Sequence, residues 1–337
     1  MENNESHTIG ITGASGFIGR RMVEMGLARG YSMVVFVRPT STYPKYWEGK
    51  VTIVKGDITS IDDLKPFVAK SNIIIHCAAF VADWGKKKLF KTINIDGTKN
   101  ILDLLIGEEK KMVLASSVAV YSNKVKDCIC TEDMVLPEPD CNYAWSKLEQ
   151  EKLVKLYGKE HGIKFSIVRP GCVFGPNSRS YVKEYINTMK KCPVLISGGD
   201  KNALCYVDNV VDAFFLAALK SEANGQIYNA TDDNTISWKE YANFIAGVLN
   251  LKKPRSIPKS VALALARILQ MVYKLLNISR RPPLTVQTLK SASCTYNIPY
   301  TKAANELAYS PAIGKKEAFK RLDEYLKGEY LKMDPQE

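Results

Sequence analysis

Short runs built from Val, Ile, Leu and Met recur along the first two-thirds of the chain, each apolar in its interior and polar at its flanks. They fall at 8–12, 33–37, 51–55, 73–76, 111–115 and 164–168, with a later one at 226–230. Runs this short, without regular polar alternation, suit strands covered on both faces. Between them lie longer stretches with apolar residues at helical spacing, notably 17–29, 89–106 and 143–161. Strands alternating with helices predict an α/β fold: a doubly wound, seven-stranded parallel sheet with right-handed crossovers. After Pro176 the pattern loosens, and past Ser237 it becomes mostly helical. The sheet domain is therefore expected to occupy residues 1–176 and 206–235, and a smaller substrate-side region 177–205 and 236–337.

Composition narrows the class. The 337 residues are 46% hydrophobic and 24% charged, which is globular rather than disordered or fibrous. The formal net charge of +12 is spread as short pairs such as Lys110-Lys111 and Lys252-Lys253, and only Lys86-Lys87-Lys88 is longer. No basic stretch is interleaved with aromatics as a single-strand binder would need, so nucleic acid is not expected as a partner. A solvated basic surface is the plain reading; attraction to an anionic cofactor or membrane surface is the sharper one. The eight cysteines include no CxxC pair, and Cys128-x-Cys130 lacks a partner at zinc-ligand spacing, so no metal site is expected. Free thiols and a polar, acidic start without an apolar signal region point to a reduced, cytoplasmic setting.

The first run leads straight into Gly13-Ala14-Ser15-Gly16-Phe17-Ile18-Gly19. Glycine answers three needs there: a tight turn, close approach of backbone to a pyrophosphate, and close packing of helix on strand. The helix that follows offers free N–H groups and a positive dipole end to phosphate. Strand, glycine loop and helix together predict a Rossmann dinucleotide site, with Gly13, Ser15, Gly16, Phe17, Ile18 and Gly19 against the cofactor. The end of the second run selects which dinucleotide. A carboxylate there would hold the ribose hydroxyl of NAD; an arginine favours the 2′-phosphate of NADP. The residue is Arg38, followed by Thr40 and Ser41, so NADP(H) is preferred and NAD(H) stays open. Asp57, after the third run, is placed to accept from the adenine amino group.

Tyr143-Ala144-Trp145-Ser146-Lys147 sets a tyrosine and a lysine four apart, on one face of a helix. A phenol of pKa about 10 is a poor base at neutral pH. A nearby ammonium, with a cationic nicotinamide ring, would stabilise its phenolate and lower that value. Ala115-Ser116-Ser117-Val118-Ala119-Val120-Tyr121 follows the fifth run and puts hydroxyls at the carboxyl edge of the sheet, where ligands bind in such folds.

On these residues the chain resembles the extended short-chain dehydrogenase/reductases. Thr12–Gly19 matches that family's TGxxGxxG, Tyr143 and Lys147 its YxxxK, Asn94-Ile95-Asp96-Gly97-Thr98 its NxxGT, and residues 169–176 its RPxxVYGP turn with Phe174 for Tyr. Tyr206-Val207-Asp208-Asn209-Val210 is similar to the start of its later helix. Looser matches, His76-Cys77-Ala78-Ala79, Ala82-Asp83-Trp84-Gly85 and Arg281-Pro282-Pro283-Leu284 among them, resemble the 3β-hydroxysteroid dehydrogenase and dihydroflavonol-reductase branch. Arg38 departs from the acid often carried by the NAD-using steroid enzymes.

The resemblance implies roles. Tyr143 would be the acid/base, Lys147 would hold the nicotinamide ribose and tune Tyr143, and Ser117 would bond the reacting oxygen. Ser117 is preferred to Ser116 because the family's hydroxyl precedes the closing Val-Tyr by two residues. Pro170 and Val173 would line the nicotinamide, and Ile58, Ala78 and Ala79 would complete the cofactor's surroundings. The implied function is an NADP(H)-dependent oxidoreductase, 3β-hydroxysteroid dehydrogenase-like or a ketoreductase, acting on a lipophilic secondary alcohol or ketone. The alternative is a nucleotide-sugar epimerase or dehydratase that retains NAD. A non-catalytic dinucleotide sensor would normally lose the tyrosine or lysine, and both are present. A homodimer is left open.

Other groups are set aside. His76 ends a strand and reads as a satisfied sheet-edge histidine, and His7 and His161 as surface residues. Asp232-Asp233 and Glu108-Glu109 lack the separation a hydrolase needs. Residues 257–277 carry Arg267, Gln270, Lys274 and Asn277 as one narrow polar stripe on an otherwise apolar helix. From 261 to 276 it would measure about 24 Å, short of the ~30 Å bilayer core, so it should not span. Packing under the substrate region or at a subunit contact is one expectation. The other is peripheral membrane contact through 257–281, helped by Arg280-Arg281.

Overall fold

The computed structural model describes residues 7–126, 128–196, 203–232, 236–276, 278, 282, 284–286, 289 and 295–330. The apolar runs form β1 (Thr8–Thr12), β2 (Ser32–Val37), β3 (Thr52–Lys55), β4 (Ile73–His76), β5 (Lys111–Ala115) and β6 (Lys164–Pro170). Shorter strands that the sequence pattern did not show follow. These are β7 (Cys172–Phe174), β8 (Val194–Ile196) and β9 (Leu204–Tyr206), before β10 (Gln226–Ala230) and β11 (Arg255–Ile257). Seven strands join in one sheet in the order β10-β6-β5-β4-β1-β2-β3, every neighbouring pair parallel. The order reverses between β1 and β4, which opens a crevice at their carboxyl ends.

Each face of the sheet is covered. On one side Ile9, Ile11, Val35 and Val113 share a core with Met22 and Val23 of α1 (Phe17–Ala28). On the other, Val34, Phe36, Ile74 and Leu114 pack with Leu64 and Phe67 of α2 (Ile61–Ala69). The core of the first side continues without a break into Trp238, Tyr241, Leu307 and Leu322 from the last third of the chain. A small parallel pair of β8 with β11 ties residues 194–196 to 255–257.

The helix expected over 89–106 is not continuous. A short α3 (Lys87–Phe90) opens into a wide π turn at Lys91–Asp96 before α4 (Gly97–Leu105) begins. The widened turn brings Asn94 fully inside. Its amide accepts from the Phe80 N–H at 2.7 Å and donates to the Phe80 carbonyl at 3.2 Å and to Ser146 Oγ at 2.8 Å. A π turn inside a helix often marks a functional position, and here it clamps the loop after β4 onto the helix bearing Tyr143.

After α5 (Asn142–His161) come α6 (Tyr185–Lys191), α7 (Val207–Leu219), α8 (Trp238–Val248) and α9 (Lys259–Leu275), then α10 (Thr301–Leu307) and α11 (Lys315–Tyr325). Burial of the apolar 257–277 segment beneath the substrate region does not occur. In α9 only Ala262 and Ala266 are buried. Val261, Leu265, Ile268, Met271, Val272, Leu275 and Leu276 are all exposed, Leu275 at 76%. They recur every three or four residues, so the large apolar stripe faces outward and the alanine face inward. Arg280 and Arg281 lie outside the described residues.

Candidate dinucleotide and catalytic site

β1 ends at Thr12, and the chain turns at Gly13 with φ +68°, where a side chain is strained. Space forbids one as well: a Cβ on Gly13 would stand 2.7 Å from the Ala78 amide nitrogen, and one on Gly19 2.3 Å from the Gly13 carbonyl oxygen. Gly16 precedes α1 in extended conformation, with no side chain capping the helix and no acid in its first turn. The N–H groups of the first turn are therefore left without a side-chain cap or a competing acid, which fits a pyrophosphate. Ser15, Phe17 and Ile18 are half-buried around it. Ala78, whose N–H donates to Thr12 Oγ1 at 3.1 Å, and Ala79 border the same crevice from β4.

Arg38 is exposed just past β2, and its charge helps hold the Asp57 carboxyl below the usual range. The larger causes there are hydrogen bonds from the Thr59 N–H and hydroxyl. Ile58 is buried beside them, its carbonyl accepting from Asn100. Arg38 and Asp57 thus share the end of the crevice expected for adenosine.

At the other end, α5 carries Tyr143 and Lys147, and the β5 edge carries Ser117. The Ser117 hydroxyl lies close enough to the Tyr143 phenol to favour its charged form. Ser117 Oγ accepts from the Ala119 N–H at 3.1 Å. Lys147 is buried, with Nζ 5.9 Å from the Tyr143 ring centre and donating to the Ala115 carbonyl at 2.8 Å. Ser116, by contrast, turns away and donates to Glu151. Pro170 and Val173 are buried at the end of β6 and in β7. Near Tyr143 stands Tyr181, close to the Cys172 thiol and to Tyr296 and stacked on Trp238 at 6.0 Å.

The lowered phenol pKa expected from Lys147 is not found in the chain alone. Burial pushes Tyr143 up to about 12, against the opposing pull of the nearby Ser117 hydroxyl. Burial also pushes the Lys147 ammonium down to about 8, opposed by Cys77 and Glu151. Desolvation of both groups outweighs their mutual attraction across nearly 6 Å. Tyr143 is therefore held as an O–H donor.

His76 is satisfied, as expected. Thr12 Oγ1 lies 2.7 Å from Nδ1 and Thr98 Oγ1 3.0 Å from Nε2. His7 and His161 are exposed. Asp232 accepts from the Tyr206 N–H and the Asn209 amide, while Asp233 lies outside the described residues. Among the described residues all seven cysteines are free and no group of metal-binding side chains forms. Sequence reasoning gave no role to Asn94, Glu151, Cys172, Tyr181 or Tyr296. The signal available for Glu151 was the charged Arg169 inside an apolar strand, which demands a partner.

A family model described as "NAD dependent epimerase/dehydratase family" matches residues 9–231. The chain belongs to that family, and it is an NAD(P)-dependent oxidoreductase within it. It is 28% identical over 334 residues to the sterol-4-alpha-carboxylate 3-dehydrogenase, decarboxylating, of Homo sapiens, covering 95% of this chain and 88% of that one. To 3beta-hydroxysteroid-dehydrogenase/decarboxylase isoform 2 of Arabidopsis thaliana it is 25% identical over 92% of its length, and it spans 60% of that protein. The UDP-glucose 4-epimerase of Thermus thermophilus, solved in complex with NAD, shares the fold with a TM-score of 0.72 at 21% identity, over 96% of this chain and 99% of that one.

Proposed function

We propose that the chain transfers hydride between NADP(H) and a lipophilic secondary alcohol or ketone, with a sterol-like 3-oxygen as the reacting group. The carrying observation is the grouping of the Ser117 hydroxyl, the Tyr143 phenol and the buried Lys147 ammonium at the carboxyl edge of the sheet that also bears the glycine loop. The nicotinamide supplies hydride or accepts it. In the reductive direction Ser117 and Tyr143 hold the carbonyl oxygen, and Tyr143 donates its proton to that oxygen as it gains charge. Lys147 compensates the phenolate left behind and offers its ammonium to the nicotinamide ribose. The substrate side is assigned to residues 177–205 and 236–337, where Tyr181 and Tyr296, with Cys172 of β7 near Tyr181, offer a weakly polar surface that suits an apolar skeleton. The names of the human and Arabidopsis relatives support a sterol substrate.

We further place the enzyme at a membrane surface through α9. Exposed Arg267 and Lys274 lie on the same helix as its outward apolar stripe, and exposed Lys252, Lys253 and Arg255 come shortly before it in the chain, a pattern matched to anionic headgroups above acyl chains. Among the described residues no helix is long and apolar enough to cross a membrane.

The test is a spectrophotometric screen of NADPH and NADH with 3-oxo and 3-hydroxy sterols, set against UDP-sugars. Turnover of a sterol with NADPH preferred is expected, and Arg38→Asp should move the preference towards NADH. Interconversion of a UDP-sugar without net cofactor turnover would replace this reading with the epimerase. Wild type binding NADH as tightly as NADPH would remove the NADP assignment.

A further inference from the structure

Behind the hydroxyls of the site lies a buried ionic network. Glu151 and Arg169 are each 1% exposed and paired through two bonds, Nε to Oε1 at 2.8 Å and Nη2 to Oε2 at 2.7 Å. Ser116 Oγ donates to the same Oε1 at 2.5 Å. Arg169 Nη1 donates to the Tyr121 hydroxyl at 2.9 Å, and Tyr121 donates to Asn229 Oδ1 at 2.7 Å. The network therefore ties α5, the β5 edge, β6 and β10 together at one point.

That point is adjacent to both proposed catalytic groups. Glu151 lies one helical turn beyond Lys147. Ser116, which it holds, is joined through the backbone to Ser117 on one side and to Ala115 on the other, and the Ala115 carbonyl is the acceptor for Lys147 Nζ. A single carboxylate thus grips the strand carrying Ser117 and the helix carrying Tyr143 and Lys147. We propose that Glu151 is a positioning residue, which sets the spacing of Ser117 and Lys147 and supplies the negative counter-charge to Lys147. The inference rests on the reading that Ser117 and Lys147 act in the reaction.

The groups facing Lys147 are few. From the end of β4 and the residue after it come His76, whose pKa burial lowers to about 3, and the Cys77 thiol, which burial raises to about 12. From its own helix come Tyr143, also neutral, and Glu151. Arg169 of β6 pairs with Glu151 and adds no charge at Lys147 itself. Neutralising Glu151 removes the negative charge that favours the Lys147 ammonium, so the ammonium releases a proton more easily and its charge is lost at lower pH.

Three variants test this: Glu151→Gln, Glu151→Asp and Glu151→Gln/Arg169→Gln. Two quantities are measured against pH, the alkaline limb of kcat and the affinity for NADP+ by quenching of tryptophan fluorescence. Circular dichroism confirms folding. Glu151→Gln should move both inflections to lower pH by about one unit, and the double variant, which leaves no guanidinium buried without its partner, should show the same shift. Glu151→Asp keeps the charge but shortens the reach. It should leave the inflections in place and lower kcat about tenfold to a hundredfold, with KM unchanged. Unmoved inflections in folded Glu151→Gln, or full kcat in Glu151→Asp, overturn the proposal. If Glu151→Gln fails to fold, Glu151→Asp decides alone. A Tyr143→Phe enzyme that still turns over defeats the reading of the site. An inactive one beside an unshifted Glu151→Gln defeats only the inference about Glu151.

Discussion

The residues that carry the proposed chemistry are legible where a short spacing fixes their geometry. Gly13, Gly16 and Gly19 stand where a turn, a phosphate and a packed strand exclude a Cβ, and the structure shows the first and last of these collisions directly. Tyr143 and Lys147 meet because residues four apart share a helix face. Choosing Ser117 over Ser116 needed the family resemblance; in the structure Ser117 lies near the Tyr143 phenol while Ser116 donates to Glu151. What no spacing revealed is the Glu151–Arg169 pair, because a helix residue and a strand residue meet there only through the tertiary fold. The raised phenol pKa was equally hidden, since burial is a property of the whole surroundings. Because Tyr143 is held protonated, removing its hydroxyl removes the proton donor. Tyr143→Phe and Lys147→Met are expected to lower kcat about 10²–10⁴-fold with the circular dichroism spectrum unchanged. Near-normal kcat in the phenylalanine variant would assign the proton to another group.

At the scale of elements, the seven sheet strands follow from their apolar interiors, and four of them begin and end where the pattern did: β1, β4, β5 and β10. The three-residue strands β7, β8, β9 and β11 are too short for any periodicity. The π turn at Lys91–Asp96 escaped because it is imposed by Asn94 reaching for Phe80 and Ser146, not by the helix's own sequence. α9 shows the opposite failure: its apolar residues are plain in the sequence, but the face they occupy is turned outward. A stripe of large side chains at 38–76% exposure gains free energy when something apolar covers it. Flotation with anionic vesicles should carry wild-type protein into the lipid fraction at low salt. Leu265→Glu/Leu275→Glu should leave it behind with the same folded spectrum. Folded wild type remaining wholly in the aqueous fraction would assign the stripe to something other than lipid.

At the scale of the whole molecule, the sheet and the last third of the chain share one core, so a group at the centre of the sheet reports on the stability of everything. His76 is such a group. Its pKa of about 3 in the folded chain lies below the usual 6.5, because burial penalises the imidazolium. The unfolded chain therefore binds a proton that the folded one refuses. The stabilisation is complete above about pH 6.5 and is lost as pH falls towards 3, at up to about 1.4 kcal/mol per pH unit. Urea unfolding from pH 7 to 4 should show that slope, and His76→Gln should flatten it; parallel curves for the two proteins would contradict this. The strand order has a consequence of another kind, for the chain as the ribosome delivers it. β1 emerges first yet ends in the interior, and β2 and β3 finish one wing early. The other wing lengthens strand by strand, each newcomer pairing with an edge that has stood open since the last, and β10 closes it only after two-thirds of the chain is out. A stalled or prematurely ended product would hold the phosphate cradle but expose β5 or β6 as an adhesive edge. The nascent chain thus depends on being finished quickly, or on being chaperoned until it is.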